Sequence, residues 1–125
     1  MTDTAKRNAA NRRRGAQWQS DLRNGLRDAG LDVERLVLTG KEDEGDLVVR
    51  DFANPGEFVV IEAKAGQLHV TEFVRQALAE GGHFAKHRNL DRARVASIAV
   101  VKRRGMNWKD ALVLTTVGDY FGLTR

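Results

Sequence analysis

Three residues that could do chemistry lie at the ends of two short apolar segments. Asp46 opens the first segment, and Glu62 and Lys64 close the second, with the turn sequence Asn54-Pro55-Gly56 between them. Two β-branched segments joined by such a turn predict a β-hairpin. Side chains alternate between the faces of a strand, so Glu62 and Lys64 point to the same side. Buried charges are costly unless they are paired. The sequence therefore predicts that Asp46, Glu62 and Lys64 converge at the edge of a sheet.

Two carboxylates in this position suit a hard divalent cation, because such ions prefer oxygen ligands. We interpret Asp46 and Glu62 as ligands of Mg²⁺, for which Mn²⁺ can substitute, and the backbone carbonyl of Ala63 as a further ligand. The cation would activate a water and shield phosphate charge, while Lys64 positions that water or stabilises the transition state. A surface ion pair between Glu62 and Lys64 explains the same spacing, and the spacing alone leaves both interpretations open.

The charge distribution indicates a partner that carries phosphates. The chain has a net charge of +4, and the polar segment 1–14 holds five cationic side chains against one acidic residue. Another basic stretch spans residues 86–104, whereas residues 42–46 are acidic. An acidic pocket flanked by basic segments suits a metal-dependent enzyme that acts on nucleic acid. The residues predicted to contact backbone phosphates are Arg12, Arg13, Arg14, Lys102, Arg103 and Arg104.

Composition excludes several other classes of site. The chain of 125 residues is expected to form one domain over residues 15–125, preceded by a flexible basic arm over residues 1–14. It has no cysteine, and its histidines at positions 69, 83 and 87 lack the spacing of zinc ligands. No apolar run approaches the roughly 20 residues that span a bilayer. We expect no membrane association and a location in the cytoplasm, that of the host if a phage encodes the protein.

The periodicity of apolar residues predicts the order helix, three strands, helix, two strands and a short helix. The first helix is expected over about 15–29, and the next one begins with Thr71 as its N-cap and weakens at Gly81-Gly82. The strands other than the hairpin are expected over 31–38, 95–101 and 111–115, and Thr116 caps the last helix. Residues 42–44 are interpreted as a solvated connector, and Trp108 as a core cap. This order predicts an α/β domain with a central mixed sheet flanked by helices.

Gly45-Asp46, a following strand and Ile61-Glu62-Ala63-Lys64 resemble the signature of PD-(D/E)XK nucleases, with Gly45 where many members have proline. From about residue 12 to residue 123 the chain resembles the phage and archaeal Holliday junction resolvases of that superfamily. The resemblance implies a restriction-endonuclease-like core and a homodimer that makes paired cuts in branched DNA such as four-way junctions. DNA would be recognised through its shape and phosphates, so that binding depends strongly on salt.

The resemblance also implies two supporting residues. Resolvases of this group carry a glutamate four residues after the glycine that corresponds to Gly15, and here that position is Gln19. Gln19 can accept from a cation-bound water but adds no charge; Asp21, on the other flank of the helix, is an alternative. Gln76 lies where related nucleases often place a polar residue that faces the site. The departure at Gln19 leaves the number of bound cations open.

Two other functions remain open at this point. The same chemistry would serve a nuclease for flaps, single strands or duplex ends, including a RecB-like DNA nuclease. A non-catalytic DNA-binding module with a degenerate nuclease site is a third hypothesis, which the glutamine at position 19 favours. The intact set of Asp46, Glu62 and Lys64 argues against that hypothesis, because a decaying site has no reason to keep all three.

Overall fold

A computed structural model of the chain describes residues 2–37, 40–50 and 54–123. Its elements are, in order, α1 (Asp3–Asp28), β1 (Asp32–Arg35), β2 (Leu47–Arg50), β3 (Phe58–Lys64), α2 (Val70–His87), β4 (Val95–Val101), β5 (Leu112–Leu114) and α3 (Val117–Tyr120). Short 3-10 turns at Arg92–Arg94 and Trp108–Asp110 precede β4 and β5. The predicted order of elements is confirmed. The end of the predicted first strand, at Leu38, lies outside the described residues.

The five strands form one mixed sheet in the order β1-β2-β3-β4-β5. β1, β2 and β3 pair antiparallel, β3 and β4 pair parallel, and β5 is antiparallel to β4. α2 forms the crossover that a parallel pair requires. The predicted α/β class with a central mixed sheet and flanking helices is therefore confirmed.

The two long helices cover opposite faces of the sheet. Trp18 and Leu22 of α1 pack with Ile61 of β3 and Val100 of β4. On the other face, Phe84 and Ala85 of α2 pack with Val60 and Val95. Consecutive residues of β3 thus enter different cores, as the alternation of its side chains predicted. The side chains at positions 58, 60, 62 and 64 consequently share the face that α2 covers.

α1 is longer than the sequence predicted. It begins at Asp3 rather than near Gly15, with Thr2 as its N-cap: the Thr2 hydroxyl accepts a hydrogen bond from the Ala5 backbone N–H at 3.1 Å. Alanine and arginine have high helix propensity, and an acidic residue in the first turn complements the helix dipole. The expected start near residue 15 is therefore wrong, because the prediction relied on an apolar period that this solvent-exposed segment does not need. The proposed division into a flexible arm and a domain at residue 15 stays a prediction.

α2 also differs from the prediction. It begins at Val70 after His69, so Thr71 is not its N-cap, and it continues without a break through Gly81 and Gly82. Gly81 has a packing role: a Cβ at this position would lie 1.7 Å from the Ser97 hydroxyl of β4. The glycine therefore allows the helix to approach the sheet closely, and tertiary packing outweighs the low helix propensity of the Gly-Gly pair.

The remaining elements follow the sequence more closely. The predicted β4 is confirmed at both ends, and β5 is shorter than the predicted 111–115. The Thr116 hydroxyl accepts from the Asp119 backbone N–H at 3.1 Å and caps α3 as predicted. Trp108 packs against the α1 core and lies so close to Gly25 that a Cβ there would be 2.3 Å from its ring. Among the described residues, no helix combines the length and apolar character needed to cross a membrane.

Candidate active site

The candidate site lies where β3 and β4 end side by side and β2 begins. The Asp46 backbone N–H donates to the Ile61 carbonyl at 2.9 Å, which places Asp46 beside the last residues of β3. On the other side of β3, the Lys102 backbone N–H donates to the Lys64 carbonyl at 2.9 Å. In sheets with parallel strands, ligands commonly bind beyond the carboxyl ends of those strands. The hairpin and the loop after β4 therefore meet at one edge.

Asp46, Glu62 and Lys64 converge at this edge as predicted. The Asp46 Oδ2 accepts from the Ala63 backbone N–H at 2.8 Å, and the Lys64 Nζ lies 3.3 Å from the Glu62 Oε1. Glu62 is only 6% exposed, so its pairing with Lys64 is not the surface ion pair considered above. Gln76 also faces the group, with its Nε2 donating a long hydrogen bond of 3.5 Å to the Glu62 Oε1. The roles proposed for these residues, and that of the Ala63 carbonyl, stay predictions.

Glu80 also lies at the site, beside Glu62 and Gln76, and was not predicted from the sequence. It is 3% exposed, and its Oε1 accepts from the Gln76 Nε2 at 3.2 Å. Gln76 and Glu80 are four residues apart and so occupy one face of α2. The sequence signal was a glutamate within an otherwise apolar stripe that also contains Phe73, Ala77 and Phe84. A charged residue at a buried helical position requires a partner or a function.

Two carboxyl groups at the site, those of Asp46 and Glu80, have raised pKa values. Burial is the main cause that raises the pKa of Asp46 to about 7, and the neighbouring Glu62 charge adds to it. Burial likewise raises the pKa of Glu80 to about 10, followed by its hydrogen bond with Glu62 and the charges of Glu62, Asp43 and Asp46. Both shifts have the sign expected when like charges share a poorly hydrated region. Asp46 and Glu80 therefore tend to keep their protons in the metal-free site, and a bound cation would be needed for all of its carboxyl groups to ionise together.

Gln19 is half-buried on α1. Within the described residues it makes no hydrogen bond to Asp46, Glu62 or Glu80. The alternative residue on this helix, Asp21, accepts instead from the Gln17 Nε2 at 2.8 Å. No hydrogen bond among the described residues therefore supports the role assigned to Gln19, which stays a prediction.

The donor set fits a hard cation, which the resemblance implies. All the available side-chain ligands are carboxylate oxygens, and no hydrogen-bond donor in the described parts of the chain reaches Oε2 of Glu62 or Oε2 of Glu80, both of which are buried. Within the same residues, no three His, Cys, Asp or Glu side chains form a ready-made metal cage. Mg²⁺ rarely requires such a cage: it keeps several waters and completes its coordination with a few carboxylates and substrate phosphates.

The acidic loop before β2 is not the solvated connector that was expected. Glu44 is 8% exposed, and its Oε2 is 2.8 Å from the His87 Nδ1 and also pairs with Arg88. Glu42 pairs with the Lys86 Nζ at 3.0 Å and the His87 Nε2 at 3.1 Å. These contacts tie the loop to the C-terminal end of α2. The loop that leads to Asp46 is therefore held by long-range ion pairs that sequence spacing could not reveal.

Three of the six predicted phosphate-contacting residues line one concave surface. Arg14, Lys102 and Arg104 surround a cavity of about 600 Å³ together with Ala65 and Gly66, which directly follow Lys64 in sequence. The other three, Arg12, Arg13 and Arg103, are exposed and do not line that cavity. We call the cavity with Arg14, Lys102 and Arg104 the basic pocket. It adjoins the end of β3 and hence the candidate site.

No protein-family model and no curated protein sequence matches the chain. Among solved structures, it is similar to a 1.6 Å structure of Hjc, a Holliday junction resolvase from the archaeal hyperthermophile Archaeoglobus fulgidus. The identity is 18%, the TM-score is 0.47, and the match covers 72% of this chain and 68% of that one. So weak a likeness leaves the function to be argued from the residues of this chain.

Proposed function

We propose that this protein is a metal-dependent, structure-selective DNA endonuclease, most specifically one that resolves four-way junctions. The observation that carries the proposal is the convergence of Asp46, Glu62 and Lys64 beside the basic pocket. The carboxylates provide a site for Mg²⁺ or Mn²⁺, the basic pocket provides a site for phosphates, and a phosphodiester bound to both would lie next to the Lys64 ammonium.

Each residue has a task in hydrolysis that its contacts support. Bound at Asp46 and Glu62, Mg²⁺ would supply Lewis-acid activation of water and neutralise charge on the phosphate. The Ala63 N–H fixes the Asp46 carboxylate, and Gln76 fixes the Glu62 Oε1. Lys64, 22% exposed at its side chain, can reach substrate while it stays near Glu62. Water forms a new P–O bond, the bond to the leaving sugar oxygen breaks, that oxygen takes up a proton, and the water releases one.

The substrate preference is proposed from charge and from the resemblance to resolvases. Contacts to phosphates carry no base sequence, so binding through the basic pocket would read the shape of the DNA. Arg12 and Arg13 in the first half of α1 and Arg103 just after β4 are exposed and would extend these contacts beyond the pocket. Each phosphate contact also makes the affinity fall with rising salt.

A symmetric homodimer is proposed as the active form, since paired cuts require two sites. The surface around β5 and α3 offers an interface: Val117 and Tyr120 are each 71% exposed, and Val113 is 58% exposed. Exposed apolar residues clustered at a sheet edge indicate an interaction surface more often than ordinary solvent contact. Sedimentation velocity of the wild type and of Tyr120→Glu would test this, with a shift to monomer expected for the variant.

The deciding experiment is cleavage of a synthetic four-way junction beside a matched duplex, a flap and a single strand. Wild type and Lys64→Ala are compared with Mg²⁺, Mn²⁺ or EDTA. Symmetric nicks in the junction alone, lost with EDTA and in the variant, are expected. Preferred cutting of flaps or single strands would mean that the protein is a flap or single-strand nuclease and not a junction resolvase. Tight junction binding with no cutting under any metal would contradict the nuclease function.

A further inference from the structure

Glu80 has a position that a structural role alone does not explain. Along α2 it follows Gln76 by one turn, and the Gln76 amide donates to one oxygen of Glu80 and one oxygen of Glu62. The carboxyl groups of Glu62 and Glu80 also lie within hydrogen-bonding distance of each other. Two buried carboxylates in contact repel each other when both are ionised. An apolar residue at position 80 would avoid that cost, so the glutamate calls for a different explanation.

The free oxygen of Glu80 is directed toward the segment that carries Asp46. A Cβ on Gly45 would lie 3.4 Å from the Glu80 Oε2 and 2.8 Å from the Val60 side chain. Gly45 also has a φ of +107°, in the region that favours glycine. The glycine thus leaves room for Glu80 to approach the backbone beside Asp46. Glu80 therefore lies next to Glu62 and close to the backbone that precedes Asp46, on the face that α2 covers.

Other buried carboxylates of the chain are satisfied by donors. Asp119 accepts from the Ser97 backbone N–H at 2.6 Å and from the Arg92 Nη2 at 3.1 Å. Glu44 pairs with Arg88 and His87. Within the part of the chain that the structure describes, the buried side-chain oxygens without a donor are Oε2 of Glu62 and Oε2 of Glu80. Buried polar atoms are almost always satisfied, so this pair of oxygens requires a partner: a proton shared by the two carboxyl groups in the metal-free protein, which a bound cation would replace.

We propose that Glu80 binds the divalent cation through its Oε2, as the third carboxylate of the site with Asp46 and Glu62. The inference rests on the proposed function, since that function requires the cation. The resemblance implies a carboxylate on α1, where this chain has Gln19. In the proposed site, Glu80 of α2 supplies that carboxylate. Gln76 is then a positioning residue, because its amide holds both glutamates by their other oxygens.

The test measures binding of Mn²⁺ to the full chain by calorimetry, for wild type, Glu80→Gln, Glu62→Gln and Glu72→Gln. Glu72 lies on the same helix with its side chain 64% exposed and serves as the matched control. Loss of a residue that supports a metal site typically lowers affinity by about tenfold to a hundredfold. We expect a loss of this size for Glu80→Gln, a loss at least as large for Glu62→Gln, and no change for Glu72→Gln.

Thermal unfolding separates this role from a structural one. Glutamine replaces a carboxyl group whose pKa is raised to about 10 in the metal-free protein, so metal-free Glu80→Gln should be at least as stable as the wild type, while the rise in Tm caused by Mn²⁺ shrinks. A lower metal-free Tm with an unchanged Mn²⁺-induced rise would overturn the proposal. Glu80→Asp, which keeps the charge on a shorter side chain, should bind Mn²⁺ with intermediate affinity.

The outcomes distinguish this inference from the proposed function. Wild-type affinity in Glu80→Gln together with lost affinity in Glu62→Gln would exclude Glu80 and leave the nuclease proposal intact. Three-carboxylate binding without cleavage of any DNA would support Glu80 and contradict the nuclease. A wild type that binds no Mn²⁺, with or without a four-way junction, would overturn both.

Discussion

α2 contacts acidic side chains at two places, and the surroundings shift the pKa values of the two groups in opposite directions. Near its middle it faces the carboxylate cluster of Asp46, Glu62 and Glu80. At its C-terminal end it faces the acidic loop that contains Glu42 and Glu44. Both groups contact the same helix, and each contains a buried glutamate. The differences between their pKa values therefore reflect the charged and polar partners of each group.

The acidic loop is neutralised within the chain. Hydrogen bonds from Lys86 and then His87 lower the pKa of Glu42. Burial works to raise the pKa of Glu44, but hydrogen bonds from Arg88 and His87 outweigh it, so this pKa is also lowered. In the cluster the pKa values of Asp46 and Glu80 are raised. Burial alone therefore does not indicate a cation site. What supports the proposed site is a group of buried carboxyl groups with too few cationic partners among the described residues to neutralise them.

Exchanging one buried glutamate in each group should give the largest contrast. Glu62→Gln removes a proposed cation ligand and should lower the proposed cleavage activity at least about a hundredfold, since metal catalysis supplies several kcal/mol. Glu44→Gln, equally buried, should change the rate by less than about fivefold, because it acts only through loop position. Single-turnover cleavage of a four-way junction measures both, and equal losses would erase the distinction between the groups.

The glycine pair between the groups tests whether geometry holds Glu80 in place. In Gly81→Ala the new Cβ meets the Ser97 hydroxyl at 1.7 Å, whereas at Gly82 nothing lies within 4 Å. We expect Gly81→Ala to lower the free energy of unfolding by about 2 kcal/mol. Gly82→Ala should raise it by about 0.5 kcal/mol, because alanine favours helix. Urea unfolding measures both, and a stable Gly81→Ala protein would contradict the close packing of α2 on β4.

Metal-free protein should lose stability as the pH rises from about 5 to about 9. The pKa of Asp46 is raised from 3.8 to about 7 and that of Glu80 from 4.5 to about 10, so the folded chain keeps protons that the unfolded chain has released. Stability from such groups is present at low pH and is lost as the pH rises toward the folded-state pKa. We expect Tm to fall by at least about 5 °C across this range, as measured by calorimetry in EDTA.

Glu80→Gln serves as the control for that profile and should flatten it. His87, whose pKa is raised by Glu44 and Glu42, also contributes a loss of stability at rising pH, but it is present in both proteins. The difference between the two profiles therefore isolates Glu80. Parallel profiles would mean that Glu80 is ionised in the folded protein without a cost.

The smallest expected effect lies in the acidic loop. Hydrogen bonds to Glu44 and then Glu42 hold the pKa of His87 above 6.5. Glu44→Gln should lower this pKa, as expected when an opposite charge is removed. NMR titration of the His87 ring measures it, with Glu80→Gln as a variant that should leave it unchanged. An unchanged pKa of His87 in Glu44→Gln would mean that the acidic loop does not contact His87 in solution.

The local pattern of the sequence was enough to predict much of the site. Alternation along β3 placed Glu62 and Lys64 on one face, and the turn at Asn54-Pro55-Gly56 brought Asp46 back to them. The continuous apolar run of β4 predicted a buried strand with a basic loop after it. These predictions succeeded because strand alternation and turn chemistry depend on neighbouring residues.

The sequence by itself thus determined the hairpin, its two carboxylates and its lysine. Only the tertiary structure decided that Glu80 joins them and that Glu42 and Glu44 are bound to α2. Glu80 reaches the hairpin because Gly81 lets α2 pack closely against Ser97. Such choices depend on how helices far apart in sequence pack on the two faces of a sheet, and no local pattern encodes that packing.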